Sequence, residues 1–183
     1  MNLWLRVIWL VITAPFRARL TPPFGVSDLT FMVLPSDLDT NLHMNNGRYW
    51  TIADLGRTDL LLRSGLWRAV WGKGWMPLLS GGIIRFRREL SPFQRFHLQT
   101  RVVYWNTQNI VMEHRFIAIS QGSPVLAAIA LVRGGLYDRR NRRFIDCADI
   151  FRFAGHDGPG PEMTPEVAAF MAAEDEVKRI AAA

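Results

Sequence analysis

Apolar residues recur with two different periods along this chain, and the change of period separates a helix from several strands. Between Tyr49 and Leu62 they are spaced three or four positions apart, which predicts a helix of about five turns ending near Ser64 and Gly65. Elsewhere apolar and polar residues alternate, as in strands with one buried face. The alternation predicts strands at residues 24–34, 78–90, 96–105, 110–119 and 125–137, with a short strand at 144–145.

The order of these elements predicts an α+β domain in which one helix lies across one face of an antiparallel sheet. Gly56 inside the helix costs about 1 kcal/mol unless a neighbour packs closely against it, so we expect the sheet to approach the helix there. The tryptophan-rich stretch 67–75 predicts an irregular connection. Thr164 and Pro165 predict the start of a terminal helix with a hydroxyl cap.

The N-terminal segment is apolar from Leu3 to Ala14 except at Arg6 and Thr13. It is too short to span a bilayer, which takes about 20 residues, and its basic residues mostly follow the apolar run, unlike those of a secretory signal. Arg6, Thr13 and Arg17 fall near one line at helical spacing, opposite Trp4 and the aliphatic residues. Three interpretations remain open for residues 1–20: contact with a membrane interface, packing on the domain, and an oligomer contact.

Composition narrows the class of protein. The 183 residues carry a formal net charge of +6, which favours an anionic partner such as a membrane surface, CoA phosphates or an acidic carrier protein, or serves solubility alone. No nucleic-acid-binding motif accompanies the charge, so we expect no nucleic-acid partner. The single cysteine, Cys147, favours a reducing, cytoplasmic compartment and an inert packed thiol. No metal-ligand motif, Gly-x-Ser-x-Gly elbow or phosphate loop occurs, so we expect no metal and no other cofactor.

The densest group of polar side chains lies directly before the predicted helix. It consists of Asp37, Asp39, Asn41, His43, Asn45 and Asn46, followed by Tyr49. A helix N-terminus offers unpaired N–H groups and a partial positive charge, which can hold an oxyanion. A carboxylate beside it could attack a carbonyl carbon or activate a water molecule to do so. We expect Asp37 to order the loop and Tyr49 to pack.

This run resembles the active-site segment of hot-dog-fold acyl thioesterases, the 4-hydroxybenzoyl-CoA thioesterase-like group. Its pattern, Asp-x-Asp-x-Asn-x-His-x-Asn-Asn-x-x-Tyr, is similar to that of plant acyl-carrier-protein thioesterases and of the mammalian thioesterase superfamily member six. The resemblance implies a single hot-dog domain at residues 21–153, in which a curved antiparallel sheet wraps a long central helix. Residues 1–20 then form an apolar helix, and residues 154–183 a loop and a C-terminal helix. It also implies a homodimer or a dimer of dimers, with active sites at the subunit interface.

The resemblance assigns the catalytic carboxylate to Asp39, as nucleophile or general base, and further catalytic roles to Asn41 and His43. It places the oxyanion-binding N–H at Asn46. From the residues alone, Asp39 could instead cap a turn, and Asn41 and His43 could hydrogen-bond the loop without taking part in catalysis. Many members of the group have glycine before the histidine where this chain has Leu42, so we expect the loop or the pocket to differ there.

Arg85, Arg87 and Arg88 could bind the phosphates of CoA through charge-assisted hydrogen bonds. The arginines within 139–143 could do so too, although a solvated hairpin tip explains them equally well.

With the resemblance, the sequence predicts an acyl-CoA thioesterase that releases a fatty or aromatic acid. Two alternatives stay open: an acyl-carrier-protein thioesterase, and a non-catalytic acyl-binding or membrane-associated protein of the same fold. The expected location is cytoplasmic. Residues 1–20 leave open a peripheral contact with the inner face of the membrane.

Overall fold

A computed structural model of the protein describes residues 2–21, 23, 25–120 and 122–182. The helices are α1 (Asn2–Thr13), α2 (Asn46–Ser64), α3 (Trp67–Lys73), α4 (Cys147–Phe153) and α5 (Pro165–Ala181). The strands are β1 (Ser27–Met32), β2 (Trp75–Phe86), β3 (Arg95–Trp105), β4 (Ile110–Ser120), β5 (Ser123–Asp138) and β6 (Arg143–Phe144). The predicted strand start at Phe24 and the turn residue Gln121 lie outside the described residues.

One antiparallel sheet contains the strands in the order β1-β3-β4-β5-β2, and β6 pairs with the end of β5. Strands β1 and β2 are consecutive in the sequence but lie at the two opposite edges of the sheet. Helices α2 and α3 connect them. Helix α2 lies across one face of this sheet, where it packs on Leu98, Phe116 and Ala128. The predicted α+β architecture is confirmed.

Gly56 lies where α2 approaches β3 most closely. A Cβ atom on Gly56 would overlap the side chain of Thr100 and lie 3.1 Å from Leu98. The glycine thus lets α2 and the sheet approach so closely that a methyl group would not fit between them, as the sequence predicted.

Two local predictions were wrong, and one helix was missed. Residues 67–75 are not an irregular connection, because Trp67 and Trp71 contact each other edge to face one helical turn apart and support α3. Helix α4 follows β6 and was not predicted at all. The hydroxyl of Thr164 precedes α5 but makes no capping hydrogen bond to its backbone.

The outer layers use the remaining helices. Helix α5 packs through Val167 and Phe170 on Val111 and Leu131, which point away from the face that α2 covers because side chains alternate along a strand. Helix α1 lies along α2, with Leu10 fully buried against the main core. Among the described residues, no helix is both long enough and apolar enough to cross a membrane.

Candidate active site

The predicted site segment folds as a small hairpin in front of α2. Leu38 and Met44 pair as an isolated antiparallel bridge, and the N–H of Asp39 donates to the carbonyl oxygen of His43 at 2.9 Å. Met44 donates in turn to the carbonyl oxygen of Leu90, 2.9 Å away, which fixes the hairpin to the segment after β2. The motif residues are thereby held against the domain in one defined arrangement.

Asp39 occupies the first position of the hairpin turn, with a half-buried side chain. Its Oδ1 accepts hydrogen bonds from the N–H of Asn41 at 2.8 Å and from that of His43 at 3.4 Å. Within the described part of the chain, no hydrogen bond reaches its Oδ2. One carboxylate oxygen therefore orders the turn, as the structural interpretation expected, while the other is available for chemistry.

Asp37 has a different role, because its carboxylate is buried and paired. It accepts hydrogen bonds from Arg6 at 2.7 Å and from the N–H of Leu34 at 3.0 Å, and the Nε of Arg48 lies 3.4 Å away. Its carbonyl oxygen accepts from the N–H of Asn45 at 2.9 Å. Asp37 orders the loop, as predicted, and it also ties helix α1 to the start of α2.

The start of α2 is capped by the Asn45 side chain, which accepts from the N–H of Gly47 at 2.8 Å. Asn46 is the first residue of the helix, so its N–H has no partner within the helix itself. Its side chain is exposed. The structure thus places the predicted oxyanion donor at the positive end of a helix of 19 residues.

The His43 ring faces Glu89, a residue that the sequence analysis did not single out. His43 Nε2 lies 3.4 Å from Glu89 Oε1, and both side chains are partly exposed. Glu89 was missed because it is 46 positions away in sequence, counted from 43 to 89, and meets the histidine only through the pairing of Met44 with Leu90. An acceptor at this distance can orient an imidazole for proton transfer.

A polar cavity of about 550 Å³ adjoins this pair. Arg87, Arg88 and Glu89 line it together with Ser91 and Gln94. Two of the three predicted phosphate-binding arginines are therefore brought next to the hairpin, since Glu89 borders both. Arg85 is exposed on β2 and does not line this cavity.

Two motif residues have roles set by backbone and packing. Tyr49 is buried in edge-to-face contact with Phe86 and Phe116, and burial together with the charge of Glu89 raises the pKa of Tyr49 to about 12. It is a packing residue, as predicted. Leu42 has φ of 59°, the left-handed conformation that glycine favours, and its side chain is 66% exposed. The bulky residue is therefore accommodated by pointing into solvent.

A second, mostly apolar cavity of about 500 Å³ lies beside the later turns of α2. Its lining includes Asp54, Arg57 and Leu61 of the helix, Leu78 and Leu79 of β2, and Val102, Met112, Leu136 and Phe151. Its polar lining residues all belong to α2 and are Asp54, Arg57, Thr58 and Ser64. Such a volume with few polar groups suits an apolar organic moiety.

His114 lies on β4 and contacts Arg57, one of the residues that line this cavity. It is fully buried, with Nδ1 2.9 Å from Thr100 Oγ1 and Nε2 3.1 Å from Arg57 Nη1. Because a guanidinium can only donate, Nε2 accepts and Nδ1 carries the proton. Burial, and next the charge of Arg57, lower the pKa of His114 to about 3. The ring is a neutral structural group.

The sequence model of the thioesterase-like superfamily matches residues 33–171 of this chain. The chain belongs to this superfamily. The match begins just before the hairpin and includes α2 and the whole sheet after it, so it covers the elements that build the site. The family predicted from the motif is thereby confirmed.

Two curated relatives of this thioesterase-like chain are both named Protein THEM6. The one from Xenopus laevis is 40% identical over 88 residues, which cover 48% of this chain and 42% of the relative. The one from Danio rerio is 29% identical over 153 residues, covering 80% of this chain and 76% of the relative. Among solved structures, a mutant 4-hydroxybenzoyl-CoA thioesterase complexed with 4-hydroxybenzoyl-CoA superposes with a TM-score of 0.64 at 17% identity, covering 70% of this chain and 98% of that one. The superposition shows that the fold is shared.

Proposed function

We propose that the protein is an acyl-CoA thioesterase, which hydrolyses a fatty or aromatic acyl thioester to the free acid and CoA. Asp39 acts on the thioester carbonyl, either by direct attack or by taking a proton from the attacking water. The N–H of Asn46 stabilises the resulting oxyanion, and the carbon–sulfur bond then breaks to release the CoA thiolate, which takes up a proton. After direct attack, water hydrolyses the mixed anhydride formed on Asp39 and releases the free acid. His43, oriented by Glu89, and Asn41 assist at the same hairpin.

One observation carries this proposal. The hairpin fixes Oδ1 of Asp39 with two backbone N–H groups and leaves Oδ2 without a hydrogen bond from the described residues, seven positions before Asn46, the residue that begins α2. A nucleophile or base and an oxyanion donor on rigid elements are the two parts that acyl transfer requires. Membership of the thioesterase-like superfamily supports the same reaction class.

We propose that the apolar cavity holds the acyl group and that each site is shared between two subunits. Its first helical lining residue, Asp54, lies eight positions after Asn46, about 12 Å along the axis at 1.5 Å per residue. Strand β2 is an edge that exposes Leu79 and Ile83, and it borders the open side of the cavity. Antiparallel pairing of two β2 edges would bring the helix start of one subunit towards the cavity of the other. We therefore propose a homodimer with shared sites.

Mixing two inactive variants tests the reaction and the shared site together. Asp39→Asn removes the carboxylate charge, and Leu61→Trp fills the cavity. If each site combines Asp39 of one subunit with the cavity of the other, half of the randomly mixed dimers each regain one intact site, which restores about one quarter of the wild-type rate. No recovery after subunit exchange would place both groups in one chain and refute the shared site.

The carrier is proposed to be CoA, because Arg87 and Arg88 line the polar cavity beside the hairpin. Thiol release from acyl-CoAs of graded chain length should be inhibited by free CoA, and Arg87→Ala with Arg88→Ala should raise KM more than it lowers kcat. Inhibition by an acidic carrier protein but not by CoA would favour the acyl-carrier-protein alternative. Absence of thiol release from either substrate, with binding retained, would favour a non-catalytic acyl-binding protein.

A further inference from the structure

Helix α1 packs on the domain through Leu3, Val7 and Leu10 and turns its other apolar side away from it. Six of its large apolar side chains are between 45% and 73% exposed, and they lie on one continuous side of the helix: Trp4, Leu5, Ile8, Trp9, Val11 and Ile12. Phe16, in the short turn that continues the helix, is 88% exposed. A contiguous apolar patch of this kind on a folded protein marks a site of interaction.

Ion pairs fix this orientation. Arg6 donates to the buried Asp37 at 2.7 Å and to the carbonyl oxygen of Met32 at 3.1 Å. Arg17 donates to the buried Asp59 at 2.8 Å and to the carbonyl oxygen of Asp28 at 2.7 Å. Both cations that lie on the polar line of this segment therefore point into the domain. Rotating the helix to bury its apolar face would break both pairs and leave Asp37 and Asp59 each with one arginine instead of two.

The charge around the helix matches an anionic surface. From Met1 to Ser27 the chain contains three arginines and no acidic residue. Each of the two buried carboxylates also has a second arginine beside it, Arg48 at Asp37 and Arg63 at Asp59. Each group of one carboxylate and two arginines therefore carries one excess positive charge. Exposed Arg19 follows at the end of the segment.

We propose that α1 and Phe16 form a preoriented docking surface for an anionic phospholipid bilayer, in which the helix lies in the interface with its apolar side inserted. The helix has 12 residues, well below the roughly 20 needed to span. Trp4 and Trp9 are the residue type enriched where a membrane meets water, and the flanking arginines attract anionic headgroups. This proposal does not depend on thioester hydrolysis.

A second copy of the chain fits this surface less well than a bilayer does. Arg6 of α1 and Arg17, which follows the helix, contact the backbone of Met32 and Asp28 on the edge strand β1. The exposed apolar edge suited to pairing is β2, at the opposite edge of the sheet. A dimer built on β2 leaves both copies of α1 uncovered. The two surfaces therefore have separate occupants.

Sedimentation with sucrose-loaded vesicles of phosphatidylcholine and phosphatidylglycerol tests the proposal. The wild-type chain should bind vesicles that contain phosphatidylglycerol and bind neutral ones more weakly. The double variant Ile8→Glu with Ile12→Glu should bind at least about tenfold more weakly, since it removes two inserted side chains and adds two negative charges. The matched control, Val177→Glu with Ile180→Glu, makes the same charge change at comparably exposed positions of α5 and should bind like wild type.

Equal weakening in both double variants would show that net charge alone drives binding, and would overturn the docking surface. Failure of the wild-type chain to bind either vesicle would overturn it as well. If the α1 variant instead changes the sedimentation coefficient of the free protein, the face is covered by a second copy or another protein surface. Hydrolysis of a short-chain acyl-CoA in solution should be equal in all three proteins, so loss of binding is separable from loss of the proposed activity.

Discussion

Replacing Asp39 with asparagine isolates the charge of the proposed catalytic group from its structural work. The side-chain oxygen of asparagine can still accept the hydrogen bonds that Oδ1 takes from Asn41 at 2.8 Å and His43 at 3.4 Å. The turn should therefore keep its shape, while the group can no longer act as a nucleophile or a base. Asp39→Ala, in contrast, removes both the chemistry and the two hydrogen bonds.

The magnitudes of the two effects differ enough to be measured apart. Loss of a general base lowers the rate by about 10²–10⁴, which corresponds to about 3–5 kcal/mol of transition-state stabilisation at 1.36 kcal/mol per tenfold. The contact at 3.4 Å is longer than a good N–H···O hydrogen bond, so Asp39→Ala should lower the free energy of unfolding by only about 1–2 kcal/mol. Asp39→Asn should lower it by less than about 0.5 kcal/mol.

The assay is thiol release from an acyl-CoA, followed with a chromogenic thiol reagent, alongside urea unfolding of each variant. Asp146→Asn is the matched control, because Asp146 Oδ1 accepts from the N–H of Ala148 at 2.8 Å in the same local geometry, at the start of α4. It should change neither activity nor stability appreciably. An Asp39→Asn enzyme that keeps the wild-type kcat/KM would refute the reasoning and leave Asp39 as a turn-forming residue.

Three further predictions concern stability and are all measured by urea unfolding. Gly56→Ala should destabilise the fold by about 1–3 kcal/mol, because its methyl group overlaps Thr100, whereas Gly72→Ala, with open space around its Cβ, should stabilise it by up to about 1 kcal/mol. The pKa of His114 is depressed in the folded state, so the unfolded chain takes up a proton first as the pH falls below 6.5. The free energy of unfolding of the wild type should therefore fall by about 2 kcal/mol at pH 5, and His114→Gln should not show this loss. Leu42→Gly should stabilise by about 0.5–1 kcal/mol by relieving a positive φ at an exposed side chain, and no gain would mean that the turn is unstrained.

Sequence reasoning succeeded where a signal is local. The period of the apolar positions found α2 and the strands β3, β4 and β5, and the density of polar groups found the hairpin before α2. Even Gly56 could be interpreted in advance, since a glycine inside a strong helical pattern indicates close approach of a neighbour. Each of these inferences depends on residues within one element or one turn.

It failed where a residue's role depends on a distant partner. Glu89 has no unusual sequence context, and only the attachment of Met44 to Leu90 brings it to His43. Asp59 sits in the middle of α2 like a surface residue, yet it is fully buried and accepts from Ser27, Arg17 and Arg63. Such clusters are assembled by the tertiary fold, so a single sequence carries no local mark of them.

The orientation of α1 shows why periodicity alone could not decide which side of that helix faces the domain. Burying its apolar side would recover roughly 1 kcal/mol for each of six half-exposed side chains, about 5–9 kcal/mol in all. Turning that side inwards would also break the pairs of Arg6 with Asp37 and Arg17 with Asp59, at up to about 3–5 kcal/mol each, with Arg48 and Arg63 remaining beside the two carboxylates. The rotation would in addition expose Leu10, which is fully buried, and Leu3 and Val7, which pack on the core, so the observed orientation is favoured in water. Contact of the apolar side with a bilayer stabilises the same orientation further, because it removes the six exposed side chains from water while both ion pairs stay intact.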